Sequence, residues 1–160
     1  MRLPLSSHES LYPLGALLCL DFVFYDVERI RGHASVLDVV CLSTRYPLSF
    51  LCSSKRPPLA VLQNLFNVLK QKDWTIRRIR VDEHGSLARS YEFNMLLVKN
   101  DMQLETTEGC GSKLNTIVER SNRECHATTR IGIGLQSLLP KSHWCFAIEH
   151  VVLIKSHSVF

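Results

Sequence analysis

Three carboxylates occupy positions in the sequence where an acidic side chain could do chemistry. Asp21 interrupts a run of apolar residues, and burying a carboxylate without a partner costs on the order of several kcal/mol. Asp82 follows a segment that alternates basic and apolar residues, and Glu119 lies in a segment with helical spacing. Taken singly, they also have plain structural explanations: an ion pair with Arg29 or Arg31, a turn residue, and a solvated helix residue.

Considered together, the three residues indicate more. Two strands and a helix can bring their carboxylates to one point, where like charges repel and raise pKa values. Hard divalent cations relieve this repulsion, because Mg²⁺ prefers carboxylate oxygens. Two such ions about 4 Å apart can activate a nucleophile and stabilise the leaving oxygen at one phosphate. The three carboxylates therefore suggest metal-dependent chemistry on a phosphodiester.

The elements that would position these side chains follow from the pattern of apolar residues. Three successive strands are expected first, and helices then alternate with strands. The expected strands are Gly15–Val27, Ala34–Leu42, Tyr46–Cys52, Thr75–Val81 and Met102–Thr106, and the expected helices are Leu59–Lys70, Leu87–Asn100, Lys113–Leu135 and a last helix from Pro140. Successive strands favour antiparallel pairing, and the later alternation favours parallel pairing. The sequence therefore predicts an α/β fold with a mixed five-stranded sheet flanked by helices.

The composition is that of an ordinary globular domain. The chain has 160 residues, of which 46% are hydrophobic and 21% charged, and a net charge of +4 weakly favours an acidic partner. We expect one domain over residues 15–154, a poorly ordered lead-in over 1–14 and a tail over 155–160. The apolar stretch Leu11–Leu20 is interrupted by Pro13 and is too short to span a bilayer, so no membrane partner is expected.

The six cysteines favour reduced thiols in an intracellular protein over a disulfide framework. No two of them form a Cys-x-x-Cys pair, and a domain of this length does not need disulfides for stability. A zinc site formed by Cys125, His126, His143 and Cys145 is a third, less favoured hypothesis, because its spacing fits no common zinc pattern.

Several stretches of the chain form a set of motifs. They are Arg80–Gly85, Leu87–Ser90, Glu92–Asn94, Leu104–Thr107 with Gly109, Leu114–Arg123 with the element Val118-Glu119-Arg120, and Trp144–Glu149. This set resembles the integrase catalytic core of copia-type LTR retrotransposons, and the spacing from Asp82 to Glu119 matches that family. Leu20-Asp21-Phe22 and Thr44-Arg45 are similar to its first acidic strand and the hairpin that follows. The resemblance covers roughly residues 18–150.

The resemblance implies an RNase H-like fold and DNA integration. The activity would be metal-dependent strand transfer and endonucleolytic cleavage, that of a polynucleotidyl transferase and nuclease. By this resemblance Asp21, Asp82 and Glu119 would be the catalytic residues and would hold two Mg²⁺ or Mn²⁺ ions. The partners would be the element ends and a target DNA duplex, with assembly into a homo-oligomer and without a small-molecule substrate. Such a reaction implies access to the nucleus.

The same resemblance suggests where nucleic acid would bind. The residues that could contact DNA are Lys113, Asn115, Arg120, Asn122, Arg123 and Arg130. An ordinary solvated helix face explains them equally well. The segment Glu108–Ser112 matches the mobile loop beside the family's site, and its glycines would permit motion.

The chain also departs from the family pattern. Ser86 stands where the family often has glutamate, and Thr116 and Ile117 stand where it often has Gly-Lys. No His/Cys zinc module precedes Asp21 in the sequence. An alternative hypothesis is therefore an inactive, truncated retroelement relic that keeps the fold and at most binds nucleic acid.

Overall fold

The computed structural model describes residues 16–24, 32–54, 56–107, 116–131 and 140–157. They form an α/β fold in which a five-stranded mixed sheet is flanked by helices. The strands are β1 (Leu17–Phe24), β2 (Ser35–Cys41), β3 (Pro47–Cys52), β4 (Arg78–Asp82) and β5 (Gln103–Thr107). The helices are α1 (Leu59–Gln71), α2 (Tyr91–Lys99), α3 (Thr116–Ile131) and α4 (Trp144–His157), the last preceded by a 3₁₀ turn over Lys141–His143.

The sheet has the strand order β3-β2-β1-β4-β5. Strands β1, β2 and β3 pair antiparallel, whereas β4 pairs parallel with β1 and β5 pairs parallel with β4. The parallel strands follow helices α1 and α2, because a parallel connection must return the chain to the starting edge of the sheet. The predicted change from antiparallel to parallel pairing is thus confirmed.

Local capping decides where α2 begins. The Ser90 hydroxyl accepts a hydrogen bond from the Phe93 backbone N–H at 3.2 Å, which satisfies one of the free donors of the first turn. The helix therefore starts at Tyr91, and the prediction of a start at Leu87 was wrong. Leu87 instead lies buried in the turn before the helix.

Other element limits differ slightly from the predictions. Strand β4 begins at Arg78 rather than Thr75, because the N–H groups of Arg77 and Arg78 both donate to the Ala16 carbonyl where the strand enters the sheet. Helix α4 runs to His157. The predicted lead-in, the loop Glu108–Ser112, and the predicted helix ends 113–115 and 132–135 lie outside the described residues, as does strand segment 25–27.

One face of the sheet carries the main apolar core. Leu18 and Leu20 of β1, with Leu37 and Val39 of β2, pack in one cluster with the buried faces of α1 and α2. The helix side chains in this cluster are Leu62, Leu65, Phe66, Leu69, Phe93 and Leu97. The other face is covered by α3 and α4 through two smaller clusters, centred on Val118 and on Trp144.

The described cysteines are free thiols and all are buried, namely Cys19, Cys41, Cys52, Cys125 and Cys145. Burial raises the pKa of Cys19 to about 11, which keeps this thiol protonated. Cys110 lies outside the described residues. Within the described part of the chain, no helix has the length and apolar character needed to cross a membrane.

Candidate metal centre

Asp21 and Asp82 lie on neighbouring parallel strands and on the same face of the sheet. The paired residues of β1 and β4 run from Leu17 and Arg78 to Cys19 and Arg80. Asp21 and Asp82 are separated by the same number of residues as each of these pairs, so continuing the register places them side by side. Asp21 is half-buried, and Asp82 is exposed at the end of its strand.

Helix α3 brings the third carboxylate to this edge. Glu119 is exposed in the first turn of the helix. Its neighbour Val118 is buried against Cys19 and so anchors that turn on β1. One turn further along, the Asn122 side-chain amide donates to Asp21 Oδ2 at 2.9 Å. Glu119 and Asn122 are three positions apart and therefore share one side of the helix, which directs Glu119 towards Asp21.

The pKa of Asp21 depends on the groups that surround its carboxylate. Burial is the largest cause that raises its pKa to about 6, and the charges of Asp82 and Glu119 raise it further. Hydrogen bonds from the Phe22 backbone N–H and from Asn122 act in the opposite direction, because they stabilise the charged form. The charges of carboxylates on two other elements, β4 and α3, therefore act on Asp21 at this edge.

The donor set fits a hard divalent cation, because it consists of carboxylate oxygens whose mutual repulsion a cation would relieve. In the conformation described, however, no three His, Cys, Asp or Glu side chains of the described residues are close enough together to hold one ion. The segment 108–115, which leads into α3, lies outside the described residues. The three predicted ligands thus share an edge of the sheet without forming a closed coordination sphere.

A cleft opens beside Asp21 and Asp82. It has a volume of about 320 Å³ and is also lined by Phe22, Phe24 and the turn from His84 to Leu87. The rings of Phe22 and Phe24 stack with centroids 6.0 Å apart and form an apolar wall. At Gly85 a Cβ would lie 3.1 Å from the Asp82 carbonyl oxygen, so glycine lets the turn close tightly behind Asp82.

The residues predicted to bind nucleic acid do not share one environment. Arg123 and Arg130 are exposed on α3. Arg120 is also exposed, and its guanidinium pairs with Glu124 at 3.0 Å. Lys113 and Asn115 lie outside the described residues.

Asn122 differs most from its predicted role as a DNA contact. It is 6% exposed, its amide nitrogen is bonded to Asp21, and its Oδ1 is buried with no hydrogen-bond partner among the described residues. This burial leaves little surface for a phosphate. In the structure, Asn122 holds the carboxylate of Asp21.

A second polar group beside the candidate ligands was missed by the sequence analysis. Asp38 of β2 is 4% exposed and lies directly opposite Asp21 across the antiparallel pair. Its Oδ1 accepts a hydrogen bond from the Ser49 hydroxyl, and its Oδ2 lies 3.3 Å from His126 Nε2. The signal was available, because Asp38 interrupts an apolar strand just as Asp21 does.

His126 lies on α3, one turn beyond Asn122, and is 7% exposed. Burial and, after it, the charge of Arg130 lower the pKa of His126 to about 4. The imidazole is therefore neutral at pH 7. The tautomer that donates from Nε2 fits the contact with Asp38.

A partly buried ion-paired group lies on the same face two residues earlier along β4 and β5. Arg80 Nη2 contacts Glu105 Oε2 at 2.9 Å, and Arg78 Nη1 contacts Glu105 Oε1 at 2.6 Å. The Arg80 side chain is 8% exposed, whereas that of Arg78 is 39% exposed. Arg80 therefore carries its charge into the interior with Glu105 as a bonded partner.

The zinc hypothesis gains no support from the structure. Cys125, His126, His143 and Cys145 all belong to the described residues, and no group of three or more potential ligands there is arranged to hold a metal.

Comparison of the chain with protein-family models and with curated proteins gives no match.

Proposed function

We propose that this chain is the catalytic core of a retrotransposon-type integrase with an RNase H-like fold. It acts on DNA phosphodiester bonds and depends on two Mg²⁺ or Mn²⁺ ions held by Asp21, Asp82 and Glu119. The substrates are the ends of the element and a target duplex, on which the chain works as a homo-oligomer in the nucleus. The sheet supports this proposal through its antiparallel first three strands and its two added parallel strands.

The observation that carries the proposal is the effect of two carboxylates from other elements on Asp21. The charges of Asp82 and Glu119 both raise the pKa of Asp21, although the three residues come from β1, β4 and α3. Grouped carboxylates that repel one another are unfavourable for folding alone, and strongly perturbed groups in a cleft mark functional sites more often than chance. A divalent cation bound among these carboxylates would relieve their repulsion, and this relief would favour its binding.

The chain's own residues have distinct parts in such a reaction. When bound, the two cations would supply Lewis acidity at the attacking and leaving oxygens of one phosphate. Asn122 and the Phe22 N–H orient the Asp21 carboxylate and favour its charged form. Asp82 is exposed at the strand end beside the cleft, where a phosphate can approach.

Exposed arginines on α3 supply charge for the DNA backbone. Arg123 and Arg130 are exposed, and the guanidinium of Arg120 is exposed despite its pairing with Glu124. Contacts of this kind position a duplex without reading its sequence, and they neutralise phosphates. The helix that carries Glu119 would thus also guide the substrate.

Thermal unfolding with and without Mn²⁺ tests the metal centre. A ligand that binds only the folded state at about 100 times its dissociation constant adds roughly 2.7 kcal/mol, which is on the order of 5–10 °C for a domain of this size. We expect this rise in the parent chain and its loss in Glu119→Gln. Glu124→Gln is the matched control, because Glu124 is an exposed acid on the same helix that pairs with Arg120.

Two results would contradict the proposal. One is a cooperative unfolding transition in the parent that Mn²⁺ does not move. The other is an equal response of Glu119→Gln and Glu124→Gln. Either result would favour the alternative of an inactive relic that keeps the fold. A positive result is followed by nicking and strand-transfer assays on short labelled duplexes, in which Glu119→Gln should be inactive.

A further inference from the structure

A row of polar side chains crosses three strands beneath α3. Ser49 of β3 lies opposite Asp38 of β2, and Asp38 lies opposite Asp21 of β1. Residues directly opposite on an antiparallel pair have Cβ atoms about 4.5–5.5 Å apart, and like charges in such a pair are destabilising. The fold therefore places a second carboxylate beside the proposed metal ligand Asp21, and something must offset the repulsion.

Asp38 and Asp21 differ in their surroundings. Asp38 is 4% exposed, and each of its two oxygens is engaged, one by the Ser49 hydroxyl and one by His126. Asp21 lies at the cleft beside Asp82 and is held by Asn122. One of the two opposed carboxylates is thus committed to internal hydrogen bonds, while the other faces the site where a cation would bind.

The two aspartates are contacted from the same helix. Asn122 bonds to Asp21 on β1, and His126, four positions later, contacts Asp38 on β2. Side chains four positions apart lie one above the other on a helix. Two such contacts to adjacent strands define the rotation of α3 about its axis, which one contact alone would not do. Glu119 precedes Asn122 on this same side of the helix.

We propose that Asp38 and His126, supported by Ser49, are positioning residues that set the rotation of α3 and thereby hold Asn122 on Asp21 and direct Glu119 at the metal centre. The inference rests on the proposed function in one respect: the direction of Glu119 has an effect only if a metal binds there. A misplacement of about 1 Å in such a constellation can cost on the order of 100-fold in rate. The pair also keeps Asp38 from competing with Asp21 as a ligand.

The test uses the full chain and, first, three variants. His126→Phe keeps a ring but removes the nitrogen that contacts Asp38. His126→Gln restores an N–H donor at a similar reach. Leu97→Ala is the control for stability alone, because Leu97 is 1% exposed and packs in the core on the opposite face of the sheet.

The first measurement needs no metal. The side-chain amide protons of Asn122 are followed by NMR, and we expect slow solvent exchange in the parent, in His126→Gln and in Leu97→Ala. In His126→Phe we expect exchange at least about 10-fold faster, because Asn122 would no longer be held on Asp21. Unchanged exchange in His126→Phe overturns the proposal, whether or not the chain binds a cation.

The second measurement is the affinity for Mn²⁺ by calorimetry. We expect binding about 10-fold weaker in His126→Phe, near the parent value in His126→Gln, and unchanged in Leu97→Ala despite its lower stability. Parental affinity in His126→Phe would contradict the proposal. If the parent itself binds no Mn²⁺, the proposed function fails, and the amide exchange alone decides the positioning role.

Asp38→Asn keeps the test decisive should His126→Phe not fold. The amide has the shape of aspartate, but it removes the charge and one of the two acceptor oxygens that Ser49 and His126 use. We expect the same faster exchange at Asn122 and the same weakening of Mn²⁺ binding. Parental values of both quantities in Asp38→Asn overturn the proposal.

Discussion

The two faces of the one sheet are built from different chemistry. Towards α1 and α2 the strands present mainly apolar side chains in a single continuous cluster. Towards α3 and α4 the apolar contacts form two separate patches. Between and beside these patches lie the polar residues Ser49, Asp38, Asp21, Arg80, Glu105 and Asp82.

This difference separates stability from chemistry. Apolar burial stabilises in proportion to the area removed from water and has no directional requirement. Buried polar groups contribute little net stability, and each needs a specific partner. The apolar face can therefore hold the sheet together while the other face keeps carboxylates that folding alone would not favour. Local departures from good packing are expected at functional sites.

The largest expected effect of a single substitution is on the apolar face. Phe93 is fully buried, and Phe93→Ala should lower the free energy of unfolding by about 3–5 kcal/mol because it removes apolar contacts and leaves a cavity. Val98→Ala on the same helix, at a side chain 66% exposed, should change it by less than about 0.5 kcal/mol. Urea unfolding measures both. Similar values for the two would show that α2 does not pack as described.

A smaller effect is expected at the ion pair on the polar face. Arg80→Met should cost about 2 kcal/mol, because it leaves the partly buried Glu105 with fewer donors. Arg78→Met should cost less than about 1 kcal/mol, since Arg78 is 39% exposed and its charge is well solvated. The two arginines share one carboxylate but differ in burial and in the hydrogen bonds that they donate to it. Equal losses of unfolding free energy in Arg80→Met and Arg78→Met, measured by urea unfolding, would contradict this expected difference.

At the metal centre, substitution of a carboxylate is expected to raise the free energy of unfolding. The pKa of Asp21 is about 6 in the folded chain, against an ordinary value of 3.8 for an aspartate. The folded state thus binds this proton more tightly than the unfolded chain does. As pH rises between these two pKa values, the charge on Asp21 therefore lowers the stability of the folded state. Metal-free Asp21→Asn should therefore be more stable than the parent by about 1–2 kcal/mol at pH 8, allowing for partial solvent screening.

The same variant supplies its own control. At pH 3.5 the parent carboxyl is protonated in the folded state and about two-thirds protonated in the unfolded chain, so most of the difference in stability between Asp21→Asn and the parent should be lost. Thermal unfolding across this pH range measures the change. In the presence of Mn²⁺ the order should reverse, because the variant lacks a proposed ligand. A lower stability of the variant at pH 8 without metal would mark Asp21 as structural.

The smallest effect on stability is expected on the outer side of α3. Arg123 is exposed, and Arg123→Ala should leave the unfolding transition nearly unchanged. It should weaken DNA binding and reduce the slope of log affinity against log salt by about 0.9, the loss of one phosphate contact. Lys99→Ala, an exposed cation on α2, is the control. An unchanged salt slope for Arg123→Ala would remove that residue from the DNA interface.

The type and order of the elements could be predicted from the sequence because they depend on local pattern. Runs of apolar residues and helical spacing located the five strands and four α-helices of the described residues within a few residues. The start of α2 was misplaced, since the apolar spacing continues upstream of the Ser90 cap. Asp21 was found because a carboxylate in an apolar strand is unusual whatever surrounds it.

The partners of those residues could not be predicted, since they depend on contacts between distant parts of the chain. The resemblance predicted that Asn122 contacts DNA, and only the packing of α3 on β1 revealed its bond to Asp21, 101 residues away. The contact of His126 with Asp38 joins residues 88 apart. Strand register and helix rotation set both contacts, and neither is a property of a local segment.

The sequence by itself thus determined which elements form, in which order, and that a buried carboxylate needs a reason. Only the tertiary structure decided that Asp21 and Asp38 stand side by side and that one helix contacts both. Local preferences act over a few residues through backbone sterics and side-chain spacing. The sheet register and the docking of α3 decide which of the two aspartates lies at the cleft and which is held by internal hydrogen bonds. Both arise only when the whole domain packs.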